Sequence, residues 1–406
     1  MIDNATRQFI DGHRQCDIHQ LALQARSHGD VDMVVAVEQI AGWQKARTKI
    51  PSWAAHKDIV YPAHLSLEQC SSEQTAGYKQ RLCRRLLHDF AGGRHESMAD
   101  LTGGFGVDFA WLCSLFDKGI YVERQERLCA CARHNFEVLG LTQAEVVEGD
   151  GQTVLDSLPH QQLIFVDPAR RDSHGGRTFA IDDCTPDVLQ LLSTLLLKAD
   201  IVMLKLSPML DWHHTAASLN HVCADSVREI HVVATGNECK ELLVVLTARA
   251  SDLPITIHCA NDDHTFVFTD TPSPPLPLVD NSIPLKKKHL FEPNAAVMKA
   301  GCFSVLAHHF GVTALDPNSH LFVSDTPIKD FPGRQFIIQA VSTMNKRMVR
   351  QHLAGIQKAN ITVRNFPISV AELRKRLRLT DGGDTYIFAT TIGKEHLLII
   401  TEKALG

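Results

Sequence analysis

Four acids stand at the ends of short apolar runs, and their order along the chain is the first chemical signal. They are Asp100 in SMADLTGGFGVDFA, Glu123 in GIYVERQ, Asp150 in AEVVEGDG and Asp167 in LIFVDPARRD. Asp100 leads into a glycine-rich turn, Thr102-Gly103-Gly104-Phe105-Gly106, and Asp108 sits where the next helix should open. Glycines let a backbone bend sharply and let a ligand lie against it. Glu123 follows Gly106 by 17 residues, with Arg124 beside it. An acid at that place can accept both hydroxyls of a ribose, so an adenosine-bearing ligand is expected. The dinucleotide fingerprint G-x-G-x-x-G fails, because Gly104 and Gly106 lead to Phe109 at its third position. A strand-end acid such as Asp100 suits the ammonium of a methionine moiety better than a pyrophosphate. The pattern favours S-adenosylmethionine, with Asp150 placed to accept from the adenine amino group.

Asp167 raises a second question, since its strand discharges straight into Asp-Pro-Ala-Arg-Arg. Its carboxylate can accept a hydrogen bond or orient a proton transfer. Arg170 can stack its guanidinium on a base, bind a phosphate in a bidentate way, or close a loop ion pair with Asp172 or Asp167. The run LKLSP offers Lys205 and Ser207 as a further substrate wall, and Lys205 serves equally as a partner for Asp167. Methyl transfer needs no nucleophile triad. The protein supplies proximity, alignment and sometimes a base for the departing proton. A covalent cysteine route would have Cys184 as its nearest thiol; a loop or core thiol is the plainer reading.

These residues must be held by elements, and the pattern of apolar residues says which. From about residue 95, short apolar runs alternate with helical segments: SMADLT, GIYVE, AEVVEG, LIFVD, IVMLKL, EIHVVAT and ELLVVLT. Such alternation predicts an α/β domain, a largely parallel doubly wound sheet with ligands at the carboxyl ends of its central strands. Residues 1–92 read as helices. Met33, Val37, Ile40 and Trp43 keep a helical spacing, as do Leu82, Leu86 and Phe90 behind capping serines. The Pro-rich stretch from Asp270 to Pro284 is the best linker. Beyond it a small α+β region ends in the hairpin YIFATTIGKEHLLIITEK. Within that region PISVAELRKRLRL predicts a helix capped by Ser369 and Glu372, with Val370, Leu373 and Leu377 inward. Its other side carries Arg374, Lys375, Arg376 and Arg378; Arg364 and the pair Lys346 and Arg347 extend the basic character.

Totals narrow the class. The chain has 406 residues, 44% hydrophobic and 21% charged, which is the composition of a globular protein of several domains. Its 11 cysteines have irregular spacing and no CxxC, so reduced thiols are expected rather than a disulfide or metal framework. The first residues lack the apolar core of a secretory signal, and no apolar run is long enough to span a membrane without interruption. A cytoplasmic location is expected. The net charge of −5 is unevenly spread: residues 286–406 hold 17 Lys/Arg against 9 Asp/Glu. That basic tail suggests an anionic partner.

Taken in order, DLTGGFGVD, YVERQ, EGDG and VDPARR resemble the cofactor and fourth motifs of class I S-adenosylmethionine-dependent methyltransferases, closest to those acting on RNA bases. The whole chain resembles a bacterial family with a helical N-terminal region, a Rossmann-like seven-stranded methyltransferase domain, and a C-terminal α+β part that is ferredoxin-like plus THUMP-like. The resemblance implies the divisions 1–92, 93–270, 271–332 (linker and ferredoxin-like) and 333–406 (THUMP-like). It implies that Asp100, Thr102, Gly103, Gly104 and Gly106 hold the methionine end, that Asp108 contacts its carboxylate region, and that Ser72 and Thr75 lie near it. Glu123 and Arg124 would take the ribose and Asp150 the adenine. Enzymes of exocyclic amines usually end the fourth strand in Asp/Asn-Pro-Pro-aromatic. Here Asp167 and Pro168 keep the first two places, while Ala169 and Arg170 replace the others, so a ring atom is an open alternative. The implied substrate is a base in tRNA or rRNA, presented by the THUMP-like domain, with Lys205, Arg364, Arg374, Lys375, Arg376 and Arg378 as RNA or substrate contacts. No DNA or membrane partner is implied. The rival functions are methylation of a small molecule or protein, and RNA binding by a non-catalytic relic of the fold.

Overall fold

Helix Glu73–Ala91 begins where the sequence caps it. Ser72 Oγ accepts the Thr75 N–H at 3.2 Å, and the helix stops at Gly92, whose φ of +63° is the left-handed turn that glycine adopts freely. The same logic starts most helices: Asp32, Asp150, Asp187, Asp211, Asn294 and Ser369 each cap the one that follows. The computed structural model describes residues 2–23, 29–62, 64–170, 181–248, 252–280 and 284–404. It divides into two compact units, one of Met1–Thr235 and Lys240–Ile255, the other of Gly236–Cys239 and Thr256–Gly406.

The first unit carries strands β1 (Ser97–Asp100), β2 (Lys118–Glu123), β3 (Ala144–Glu148), β4 (Gln161–Val166), β5 (Ala169–Arg170), β6 (Cys184–Thr185), β7 (Ala199–Leu206), β8 (Val227–Thr235) and β9 (Glu238–Leu246). Its main strands lie in the order β8-β9-β7-β4-β1-β2-β3. β1, β2, β3, β4 and β7 are parallel, and β9 runs antiparallel to β7. All seven expected strands are present. Every residue of β4 is buried, as a central parallel strand covered on both faces requires. The strand order reverses between β1 and β4, so their carboxyl ends open the crevice where this architecture binds ligands. Ala169 and Arg170 pair with Thr185 and Cys184 in a short antiparallel ladder just past Asp167. Asp172 lies outside the described residues.

The N-terminal helices belong to this unit: Trp53, Ile59, Tyr61, Leu82 and Leu86 share one hydrophobic cluster with Met98, Phe109 and Phe165. The second unit begins with the hairpin β10 (Thr256–Asn261) and β11 (His264–Thr269), so the division falls ahead of the Pro-rich stretch rather than inside it. The remaining strands are β12 (His289–Pro293), β13 (Thr313–Ala314), β14 (Phe322–Ser324), β15 (Gly333–Thr343), β16 (Asn360–Arg364), β17 (Thr385–Ile392) and β18 (Glu395–Lys403). They form a sheet in the order β13-β14-β12-β15-β18-β17-β16. β17 and β18 make the expected hairpin, turning at Gly393 and Lys394. β16 and β17 are parallel, and helix Val370–Leu377 is the crossover between them. Leu373 of that helix is buried, but Val370 is exposed rather than inward, because it stands in the first turn beyond the reach of the sheet's apolar cover. Among the described residues no helix is long and apolar enough to cross a membrane. All 11 cysteines are free thiols.

Candidate active site

The site is built outward from Asp100, which ends β1 and is only 1% exposed. The backbone N–H of Thr102 donates to its Oδ1 at 2.9 Å, and the Thr102 hydroxyl does so at 3.2 Å. The same hydroxyl oxygen accepts the N–H of Asp167 at 2.7 Å. One side chain thereby joins the turn after β1 to the loop after β4. Burial pushes the Asp100 carboxyl up to about 8, with the charges of Asp108 and Asp167 adding to the effect against the two Thr102 donors.

That shift has a consequence for stability. Between about pH 4 and pH 8 the folded state keeps a proton that the unfolded chain has released. The contribution is complete below the ordinary carboxyl pKa and is lost as pH rises toward 8. Asp100→Asn should therefore lose less stability than the native chain between pH 5 and pH 8. Urea unfolding followed by tryptophan fluorescence measures this, since Trp43, Trp53, Trp111 and Trp212 all belong to the first unit. Parallel declines in the two proteins would count against a protonated Asp100.

The glycine turn is shaped by what lies beneath it. A Cβ on Gly103 would stand 2.2–2.6 Å from the ring of the fully buried Tyr121. Gly106 has a φ of +87°, and a Cβ there would meet Phe136 at 2.9 Å. Tyr121 also donates its hydroxyl to the carbonyl of Gly104. The Gly104 N–H donates to Glu123 Oε2 at 3.0 Å, and Gln125 N–H to Glu123 Oε1 at 2.9 Å. Each of those oxygens keeps a lone pair. Asp150 caps helix Gly151–Ser157 through Oδ1, and its Oδ2 lies 3.8 Å from the exposed Arg124. A glycine-lined turn with an acid at either end, on adjoining strand ends, fits the methionine and ribose of S-adenosylmethionine.

Beside this cradle lies a buried ionic cluster that sequence reasoning missed. Lys79 is completely buried and bonds both oxygens of Glu241, at 2.6 and 2.7 Å. It also lies 3.2 Å from Asp108 and 3.3 Å from Ser71 Oγ, which itself donates to Asp108 at 2.7 Å. Lys205 bonds Asp167 Oδ2 and approaches Asp108 at 3.6 Å. Burial opposes the Asp108 charge, but Lys79, Lys205 and Ser71 outweigh it and hold that carboxyl below its ordinary range. Burial likewise opposes the Lys205 ammonium, and Asp167 and Asp108 more than compensate, so it is held protonated.

Several expected residues therefore have other work. Asp108, expected at the cofactor carboxylate, is engaged by Lys79, Ser71 and Lys205. Ser72 and Thr75 bond one another and the helix start. In the second unit, Arg364 donates to Glu292, a buried acid shared with Arg334. Arg374 is tied to the Ala359 carbonyl at 3.0 Å and to Asp381 at 2.6 Å. These two arginines stitch their own domain. Arg376 pairs with Glu372 on the open helix face, while Lys375 and Arg378 are exposed. Lys346, Arg347 and Arg350 line an open depression on helix Lys346–His352. The side chain of Arg170 lies outside the described residues. Cys184 is buried in the ladder beside Arg170.

A sheet in this order, a glycine turn after its first strand and acids at successive strand ends define the class I methyltransferase fold. Over its full length the chain is similar to a candidate methyltransferase from Porphyromonas gingivalis W83, with 33% identity, a TM-score of 0.85 and coverage of 100% of both chains. Residues 289–332 match a family described as a ferredoxin-like domain, and residues 333–403 one described as THUMP domain-like. The chain belongs to the family of class I methyltransferases that carry ferredoxin-like and THUMP-like domains behind the catalytic fold. Two further solved structures are similar over less of the chain and lend this assignment no weight. One is a SAM-dependent methyltransferase from Agrobacterium tumefaciens, 12% identical over 42% of this chain and 61% of that one, TM-score 0.32. The other is an rRNA methylase from Streptococcus thermophilus, 15% identical over 41% and 95%, TM-score 0.29. A search of the curated proteins finds no match.

Proposed function

We propose that the chain is an S-adenosylmethionine-dependent methyltransferase that modifies a base in tRNA or rRNA. The observation that carries this is the pair of acids, Asp100 and Glu123, flanking the Gly103–Gly106 turn at the mouth of the strand-order reversal. In this reading Asp100 and the backbone of Thr102, Gly103, Gly104 and Gly106 hold the methionine half. Glu123 takes the ribose, with Arg124 alongside, and Asp150 the adenine through its remaining oxygen. The bound group supplies an activated methyl. Asp167 and the Pro168 carbonyl grip the acceptor, Arg170 adjoins it, and Lys205 braces Asp167. The division 1–92, 93–270, 271–332 and 333–406 is kept as the functional one, with the last part presenting RNA. Exposed Lys375, Arg376 and Arg378, with Lys346 and Arg347, are the basic groups left to meet phosphates. The similarity to a THUMP domain-like family supports the RNA assignment.

The test is transfer of labelled methyl from S-adenosylmethionine to extract of a strain lacking this gene, fractionated into tRNA, rRNA, protein and small molecules. Label is expected in one RNA fraction and should fall at least about 100-fold with Asp167→Ala, the scale of a lost catalytic proton acceptor. Label confined to protein or small molecules would sink the RNA assignment. Cofactor binding without any transfer would favour an RNA-binding relic of the fold.

A further inference from the structure

Resting on the proposed methyltransferase reading, we infer that the acceptor is a group with a labile proton and a lone pair side by side. In RNA that means the N–H of a guanine or uracil lactam, or a ribose 2′-hydroxyl, and not an exocyclic amine.

The inference comes from what Asp167 and Lys205 have left to offer. The β4–β7 register pairs Val166 with Leu204, which sets Asp167 level with Lys205 at the strand ends. Asp167 gives Oδ2 to Lys205 and its N–H to Thr102, and its side chain is 38% exposed. Oδ1 is the oxygen that remains for an acceptor. Lys205 has three N–H donors and no lone pair. Asp167 takes one, and Asp108 faces the ammonium at 3.6 Å. The pair therefore presents one hydrogen-bond acceptor beside one cationic donor.

An exocyclic amine matches this badly. Its N–H can reach Asp167, but a Lys205 N–H could be met only by the lone pair that must attack the methyl. The amine also gains positive charge as it attacks, next to an ammonium, which repels it. A lactam or hydroxyl matches at both points. Its N–H or O–H donates to Asp167 Oδ1, and its neighbouring carbonyl or second lone pair accepts from Lys205. As the new bond to the methyl carbon forms, the carbon–sulfur bond breaks and its electron pair stays on sulfur. The acceptor's proton passes to Asp167 and on to solvent. Charge developing on the acceptor is negative, and Lys205 is already in place to stabilise it.

The cluster behind Lys205 explains why a cation is kept there. Lys79 is committed to Glu241 and Asp108, so Lys205 is the ammonium that reaches the strand ends. Its side chain is 12% exposed against 0% for Lys79.

The experiment is nucleoside analysis of RNA from the deletion strain after labelling with the native protein. Label in a ring-N-methylated guanosine or uridine, or in a 2′-O-methylated ribose, supports the inference, and the two products separate its two sources. Label on an exocyclic amine, a ring carbon or an unprotonated ring nitrogen overturns it while leaving the methyltransferase reading intact. If RNA takes no label, the RNA reading fails, and the inference is decided on whichever fraction is labelled by the same distinction, O or acidic N against amine or carbon. No label anywhere overturns both. Lys205→Met should lower kcat by about 100- to 1,000-fold, the range for removing a charge-stabilising donor. S-adenosylmethionine affinity, measured by calorimetry, should stay within a few fold. An unchanged kcat sinks the role given to Lys205, and so does a loss of cofactor affinity equal to the loss of rate.

Discussion

Gly103→Ala should weaken S-adenosylmethionine binding by roughly 100-fold, the loss expected when a binding turn is displaced by about an ångström. The added methyl would stand 2.2–2.6 Å from three ring carbons of Tyr121. That ring cannot swing aside. It is fully buried, packed edge-on to Phe109 and Phe136, and its hydroxyl holds the carbonyl of Gly104. The turn must rise instead, carrying with it the Gly104 N–H that orients Glu123. Overpacking of this kind costs about 1–3 kcal/mol of stability, so the protein should still fold. Tyr121→Val in the same background removes the obstructing atoms. It should restore part of the affinity even though it is itself a destabilising change, giving a non-additive cycle. Calorimetric titration of the four proteins measures it. Native-like affinity in Gly103→Ala would mean that the cofactor does not lie on this turn.

The largest stability effect is expected at Lys79. Lys79→Met leaves Glu241 and Asp108 buried without their shared cation, and removing one partner of a buried pair costs about 3–5 kcal/mol. Lys79→Met combined with Glu241→Leu should recover much of that loss. Asp108 then keeps Ser71 and Lys205, and no carboxylate is stranded. Tryptophan-detected urea unfolding of the first unit reads both variants. A single variant as stable as the native protein would show that water reaches the cluster and relieves it.

How much of this was legible in the sequence varied with the range of the interactions. The sheet was legible because each strand is a local apolar run ending in an acid or a turn. Asp100, Glu123 and Asp167 were legible because position along the chain implies position at a strand end. The ionic cluster was not, since Lys79 and Glu241 are 162 residues apart. One local sign of it exists. Thr75, Lys79, Leu82 and Leu86 form a single buried stripe, and a lysine on such a stripe demands a partner. The basic tail misled in the opposite way. Arg364 and Arg374 count as cationic surface in a composition, yet Glu292 and the Ala359–Asp381 loop consume them, and only tertiary pairing reveals that.

The Thr102 hydroxyl, bonded at once to Asp100 and to the backbone of Asp167, also limits how this site can change over descent. Its two bonds belong to different motifs, so those motifs are not free to drift independently. Serine can stand in for it, because serine keeps the oxygen. Valine, of nearly the same shape, would orphan the Asp167 N–H and strip a donor from a buried acid in one step. A lineage that loses the hydroxyl must alter the strand ends at 100 and 167 together, and position 102 should therefore covary with both.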